Sequence, residues 1–259
     1  MSTDISILPT PATAPARLVE AFRDVVTSHL SDNLHRLAGI TALQRFHRGR
    51  KLVGTALTVK ARPGDNLAIY HALPHLRPGH VLVVDGGGDL DNAVVGDLIL
   101  AYAQQRGCVG FVIDGAVRDS AAFLDADFPC YARGVSHRGP YKHGPGTLNA
   151  PVSIAGQIVN PGDIVVGDED GIVTFPAADA ERLLEAARRS AAKEQGIRAE
   201  IANGEVQQSW LAPFAVDASI RVLTPGRHSS VTCCARSTTR IYFFAAARST
   251  KVLPPFILL

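Results

Sequence analysis

Three ionisable residues have the spacing best suited to chemistry in this 259-residue chain: Asp97 and, after twenty intervening residues, the adjacent pair Arg118 and Asp119. Two carboxylates around a guanidinium can gather a divalent cation, an anionic substrate and a water in one place. The competing reading is a structural salt bridge beside an unrelated acid on a helix face. Gly96, immediately before Asp97, would let a ligand come close to the backbone. If a helix begins near it, unpaired N–H groups can bind a carboxylate or carbonyl oxygen there without any side chain. A glycine at this point is equally compatible with tight packing of a helix on a sheet.

The elements that must position these residues are legible in the periodicity. Residues 80–85 (HVLVVD) form a short apolar run. Gly86, Gly87 and Gly88 follow, then a helical stretch over 92–105, Gly107 and a second apolar run over 108–114 (CVGFVID). That order predicts a strand, loop, helix, strand unit whose strands are parallel and joined by a right-handed crossover. A ligand site is expected at the carboxyl ends of such strands, where Asp97, Arg118 and Asp119 can converge. Around this unit, Leu18, Val19, Phe22, Val25, Val26 and Leu30 predict one amphipathic helix over 16–37, closed by Gly39. A strand is predicted over 51–61, a short helix starting from Asp65 over 66–73 and limited by Pro74, and a strand over 129–135. Residues 152–176 read as antiparallel strands turning at Asn160-Pro161-Gly162-Asp163 and at 167–171. Residues 177–203 read as a long helix with Leu183, Leu184, Ala187 and Ala191 on one stripe and Gly204 as its stop. The expectation is a single α/β domain with a mixed sheet over 17–223.

The composition narrows the function classes. At 46% apolar and 19% charged residues with a net charge of +2, the chain is neither disordered nor a nucleic-acid binder working by bulk charge. Residues 224–259 hold five basic residues and no acid, so residues 1–223 carry a net −3; this segment reads as an atypical basic tail. Residues 1–16 read as a flexible leader and lack the features of a signal peptide. Four cysteines with no C-x-x-C pair build neither a disulfide framework nor a zinc site. No run approaches the 18 or more apolar residues of a membrane span. A cytoplasmic protein without a membrane or nucleic-acid partner is expected.

Rival signals are weaker. Lys60, the one lysine suited to Schiff-base chemistry, reads as a solvated strand end. His71 and His75 have the i, i+4 spacing of metal ligands, but Pro74 lies between them. His80, preceding a strand, is expected at the surface. The glycine run invites a nucleotide-binding reading, yet Asp89, Leu90 and Asp91 stand where the rest of G-x-G-x-x-G should be, and the acids would repel a pyrophosphate.

Several ordered segments together resemble one family. Gly96-Asp97 and Arg118-Asp119 at their spacing, GFVIDG at 110–115, VLVVDGGG at 81–88, GTALTV at 54–59 and NPGDIVVGDEDGIV at 160–173 are similar to the family containing 4-hydroxy-4-methyl-2-oxoglutarate aldolase and regulator of ribonuclease activity A. The resemblance spans about residues 17–211. It implies a swivelling β/β/α-type fold, a homotrimer or dimer of trimers, and a metal-dependent pyruvate lyase. It also implies substrate contacts at Gly96, Asp97, Leu98 and Ile99, largely through backbone amides, and at Arg118. Asp119 corresponds to the ligand of a Mg²⁺ or Mn²⁺ ion.

The chemistry is consistent with that assignment. Cleaving a carbon–carbon bond beside a 2-oxo acid leaves a pyruvate enolate that a Lewis acid and a fixed cation such as Arg118 stabilise. Asp97, through a water, can serve as the base. The same enolate arises when oxaloacetate loses carbon dioxide, so one site can serve both reactions. Arg and His residues within 133–142 are available for a distal substrate carboxylate. The alternative within the family is a non-enzymatic regulator that binds a ribonuclease. The resemblance implies that Asp97 separates the two, because the regulator carries glycine there.

Overall fold

The computed structural model describes residues 4–36, 38–204 and 207–214. The chain falls into two units, residues 1–212 and 213–259; of the second, only Pro213 and Phe214 are described. The basic tail at 224–259 lies outside the described residues.

In chain order the first unit contains β1 (Ile5–Ile7), α1 (Ala16–Ala21), α2 (Thr27–Asp32), β2 (Gln44–Arg45), β3 (Leu52–Ala61), α3 (Leu67–Ala72), β4 (His80–Val95) and α4 (Asp97–Gln105). These are followed by β5 (Gly110–Val117), α5 (Ser120–Asp125), β6 (Cys130–Val135), β7 (Gly146–Leu148), β8 (Val152–Ile154), β9 (Gln157–Val159), β10 (Ile164–Gly167), β11 (Ile172–Phe175) and α6 (Ala180–Ala202). Strands β3, β4, β5 and β6 run parallel in that spatial order. On its other side β3 divides its length, pairing Leu52 to Thr55 antiparallel with β10 and Val59 to Ala61 antiparallel with β7. The result is the mixed sheet expected, here nine-stranded, with β8 and β9 as a separate antiparallel hairpin.

The long apolar runs are strands buried on both faces, as parallel strands are: β5 is buried throughout and β3 at every position except Lys60. Leu57, Val59, Leu82, Val84, Phe111, Ile113 and Phe123 form the layer that packs against α3 and α4. Leu183, Leu184 and Ala187 of α6 join Phe22, Val25 and Leu30 in a second layer over β10 and β11. Ala191 is exposed, as is nearly all of α6 beyond it, so the apolar stripe is shorter than its sequence spacing suggests.

Four expectations are corrected. The helix over 16–37 is two helices, because the chain turns at Phe22 and Val25 to bury both side chains. The second helix starts where Asp168 accepts hydrogen bonds from the Thr27 backbone N–H (2.7 Å) and hydroxyl (2.6 Å), a carboxylate meeting unpaired first-turn donors. The leader is ordered at β1, which pairs parallel with β7. His80 is fully buried between β3 and β5, with its Nδ1 accepting the Arg77 N–H at 3.1 Å.

The fourth correction bears on chemistry. Residues 92–95 continue β4 and the helix begins only at Asp97. Along β4 the register with β5 steps from Asp85↔Asp114 to Asp89↔Gly115, Ala93↔Ala116 and Val95↔Val117. Residues 86–88, 90–92 and Val94 therefore fall out of the ladder in three successive irregularities, the first aided by positive φ at Gly87 (66°) and Gly88 (73°). The glycine run is an excursion inside a paired strand and does not open a helix, which removes the nucleotide-loop geometry.

Candidate active site

The register Val95↔Val117 sets the next residue of each strand side by side, and the Arg118 N–H donates to the Val95 carbonyl at 2.9 Å. Gly96 is the N-cap of α4 and Asp119 the N-cap of α5, so two helix starts meet at the carboxyl ends of adjacent parallel strands. All of the sequence-predicted residues lie here. Gly96, Asp97, Leu98, Ile99 and Arg118 line one open cleft of about 330 Å³, and the Asp119 carboxylate touches its edge through Asp97 and Arg118.

Gly96 is extended (φ −146°), a conformation any residue adopts; space is what excludes a side chain. A Cβ built there would lie 2.6 Å from Asp119 Oδ2, 3.0 Å from Arg118 Cγ and 3.1 Å from Arg118 Nε. Asp119 has φ 55° and ψ 40°, a left-handed conformation that a non-glycine residue holds at some energetic cost and that clusters at functional sites. Although it occupies the N-cap of α5, its side chain makes no capping bond there. Instead, Oδ2 accepts the Asp97 N–H at 3.2 Å and lies 3.6 Å from Arg118 Nε.

The first turn of α4 offers three donors. The Asp97 amide is engaged by Asp119, and the Leu98 amide by Asp97 Oδ1 at 2.7 Å. The Ile99 amide makes no hydrogen bond among the described residues. The Leu98 side chain is 75% exposed and Ile99 is buried, so what these two can offer a small anion in the cleft is their backbone.

Sequence spacing did not identify the opposite wall. Asn66 and Tyr70 come from the start and body of α3, and Pro140 and Lys142 from the segment 136–145. That segment is tied down by buried Asp65, whose Oδ2 accepts the His143 and Gly144 N–H groups (2.6 and 3.1 Å). Asn92 secures it further by donating to Gly139 O at 2.6 Å. Lys142 Nζ lies 5.5 Å from the Tyr70 ring centroid, a cation held over an aromatic face. The Arg and His residues expected here for a distal carboxylate do not line the cleft: Arg133 is paired with buried Asp114, Arg138 lies 3.5 Å from Asp91, His137 is not among the lining residues, and Lys142 takes their place. The Asp65-Asn66 dipeptide after a Pro-Gly turn was the available signal, read only as a helix start.

The rival residues do not reach the cleft. Lys60 is exposed, and His75 Nδ1 lies 3.2 Å from the Thr10 hydroxyl. Burial pushes the Cys108 thiol up to about 11 and the Cys130 thiol higher still, so neither supplies a thiolate nucleophile.

Among the described residues no three His, Cys, Asp or Glu side chains converge as a ligand set. The donors present are Asp119, half-exposed and not spent on capping, with Asp97 beside it. One or two carboxylates facing solvent fit a hard cation that keeps most of its water, which is the habit of Mg²⁺, and they do not fit a closed zinc site.

Comparison with known proteins gives the following likenesses. A family model described as RraA-like (Aldolase/RraA) matches residues 27–174. The chain is 36% identical over 178 residues to a Halalkalibacterium halodurans protein named "Putative 4-hydroxy-4-methyl-2-oxoglutarate aldolase", covering 68% of this chain and 85% of that one. Among solved structures it is similar to the RNA-processing inhibitor RraA from Thermus thermophilis (31% identity, TM-score 0.54, 59% of this chain and 93% of that one). It is also similar to an uncharacterized protein from Pseudomonas syringae (26% identity, TM-score 0.67, 76% and 97%).

Proposed function

We propose that this chain, which belongs to the RraA-like (Aldolase/RraA) family, is a divalent-metal-dependent pyruvate lyase. It cleaves 4-hydroxy-4-methyl-2-oxoglutarate or a related 4-hydroxy-2-oxo acid to pyruvate, with oxaloacetate decarboxylation as a second activity of the same site. The observation that carries this reading is the presence of the Asp97 carboxylate at the start of α4, in one cleft with Arg118 and in hydrogen-bond contact with Asp119 through its amide. A family member acting only by binding another protein needs no such acid there.

Asp119, with Asp97 through water, would hold Mg²⁺ or Mn²⁺. When bound, the cation supplies Lewis-acid polarisation of the 2-oxo acid's oxygens. The chain's own groups do the rest. Arg118 and the Ile99 amide bind and orient the 2-oxo acid end, and the Arg118 guanidinium meets the negative charge that develops on the C2 oxygen. Asp97 Oδ1 is held by the Leu98 amide, leaving Oδ2 to take the 4-hydroxyl proton through a water. As that proton leaves, the C3–C4 bond breaks and C4 becomes the carbonyl of the departing product. The electron pair passes to C3, C2 and the C2 oxygen as the enolate. A proton returned to C3 completes pyruvate. Lys142, fixed over Tyr70, suits the distal carboxylate of a dicarboxylic substrate. By family analogy the assembly is a homotrimer or a dimer of trimers.

The test is a pyruvate-release assay over a panel of 4-hydroxy-2-oxo acids and oxaloacetate, with and without Mg²⁺. Metal-stimulated release from a 4-hydroxy-2-oxo acid is expected. No release from any member of the panel, together with binding to a ribonuclease, overturns the lyase in favour of the regulator.

A further inference from the structure

We propose that a second, separate site binds small anions carrying two or more negative charges, with phosphate-type groups as the matching chemistry. It is an open concavity at the amino ends of the parallel strands, the end of the sheet away from the active-site cleft. Arg23, Arg50 and Lys51 face it, together with Gln104 from the last turn of α4, and its floor includes Val109 and Phe128. Among the described residues no aspartate or glutamate lines it. Arg23 is paired with Glu20 and Lys51 lies near Asp168, so the uncompensated charge in this concavity is that of Arg50, and low-dielectric walls focus its field toward an anion.

The nearby acids are accounted for one by one. Asp127, next in sequence to Phe128, uses its Oδ1 to accept the backbone N–H groups of Arg48 (2.9 Å), Gly49 (3.1 Å) and Arg50 (3.5 Å). Glu20 pairs with Arg23 at 2.6 Å on the exposed side. Asp168 lies 3.9 Å from Lys51 Nζ, but its carboxylate already accepts from Thr27 and from the Asp170 N–H. Asp24 and Glu169 act on Lys51 only at longer range. The Lys51 amine donates to Val25 O, which fixes it at the cavity wall. The Arg50 guanidinium makes no ion pair or hydrogen bond among the described residues. Arg23 and Arg50 therefore act as the grasping groups, each able to present paired N–H donors to a tetrahedral oxyanion. Lys51 adds charge, and Gln104 a neutral donor. The Phe128 ring is buried and packed edge-on against Phe111 at 4.9 Å, so it is floor and does not serve as a stacking platform for a base. This favours a compact anion over a nucleotide.

Isothermal titration of the full chain with inorganic phosphate at constant ionic strength tests the proposal. It is run in the Arg118→Ala background so that the active-site cleft cannot supply the signal. About one phosphate per chain should still bind there. Adding Arg50→Ala or Arg23→Ala should weaken binding about tenfold or more, as expected for losing a charge-assisted contact, with an unchanged circular dichroism spectrum. Absence of binding in Arg118→Ala, or undiminished binding in both arginine variants, overturns the site. Because the readout is binding rather than turnover, its failure leaves the lyase reading untouched, and failure of the lyase assay leaves this site untouched.

Discussion

The Asp119 carboxylate, 22 residues from Asp97 in sequence, accepts the Asp97 backbone N–H at 3.2 Å. An acid at the N-cap of one helix thus serves the first turn of another. The bond couples the two halves of the D-x20-R-D pattern through the backbone and leaves the Asp97 side chain available for chemistry.

Gly96→Ala should lower pyruvate release about 10²-fold, the order of loss expected when reacting groups are displaced by about 1 Å. Its Cβ meets Asp119 and Arg118 at 2.6 to 3.1 Å, so the site must reshape while the core stays intact. A melting temperature near that of the wild type, measured alongside kcat/KM, separates this from unfolding. Near-wild-type turnover would show that the crowding is harmless.

Asp119→Asn should abolish metal stimulation. Asparagine tolerates the left-handed backbone that Asp119 adopts, so the fold should survive while the charge that attracts the cation is gone. Mn²⁺ titration followed by electron paramagnetic resonance reads the affinity directly, and unaltered binding would remove Asp119 from the metal site. In the wild type, a chelator should silence activity and Mg²⁺ or Mn²⁺ should restore it. A borohydride-trapped pyruvate adduct on a lysine would point to Schiff-base chemistry instead.

Arg118→Lys should cost about 10² to 10³ in rate, the usual loss for one donor to developing negative charge, because lysine keeps the charge but not the planar fork. Asp97→Ala should remove turnover while leaving measurable metal affinity. Full activity in Asp97→Ala would reduce Asp97 to a surface acid.

How far these groups could be read from sequence depended on where they sat in the chain. Asp97, Arg118 and Asp119 belong to one strand-helix-strand unit, so local periodicity sufficed to bring them together. Asn66, Tyr70 and Lys142 reach the cleft from α3 and from a segment tied down by Asp65 and Asn92, and those ties are long-range hydrogen bonds with no periodic signature. The same limit explains the helix start. Alternation along β4 is interrupted by three register shifts, so the pairing of Ala93 and Val95 with β5 cannot be told from a helix in the sequence. The burial of His80 has no sequence signature, because a histidine at a strand boundary carries no sign of whether the strand is central.

Acid should destabilise the fold through two histidines. Burial lowers the pKa of His47 and of His80 from the ordinary 6.5. The unfolded chain therefore takes up protons before the folded one does, so stability is full above pH 6.5 and falls as the pH drops below it. Melting temperature followed from pH 7.5 downward should decline below about 6.5, and His80→Gln should flatten the decline. An identical slope in that variant would assign the loss to other groups.

The parallel pairing of Ile5 to Ile7 with Gly146 to Leu148 covers the outer rim of β7. Stripping the first dozen residues would move the open edge of the sheet from the short β1 to β7, baring amides and carbonyls now paired, the kind of template on which a second chain can add as an extra strand. A shortened protein would then risk self-association through its backbone, even with every cleft residue in place. Purification handles are therefore better attached ahead of Asp4 than substituted for the opening segment.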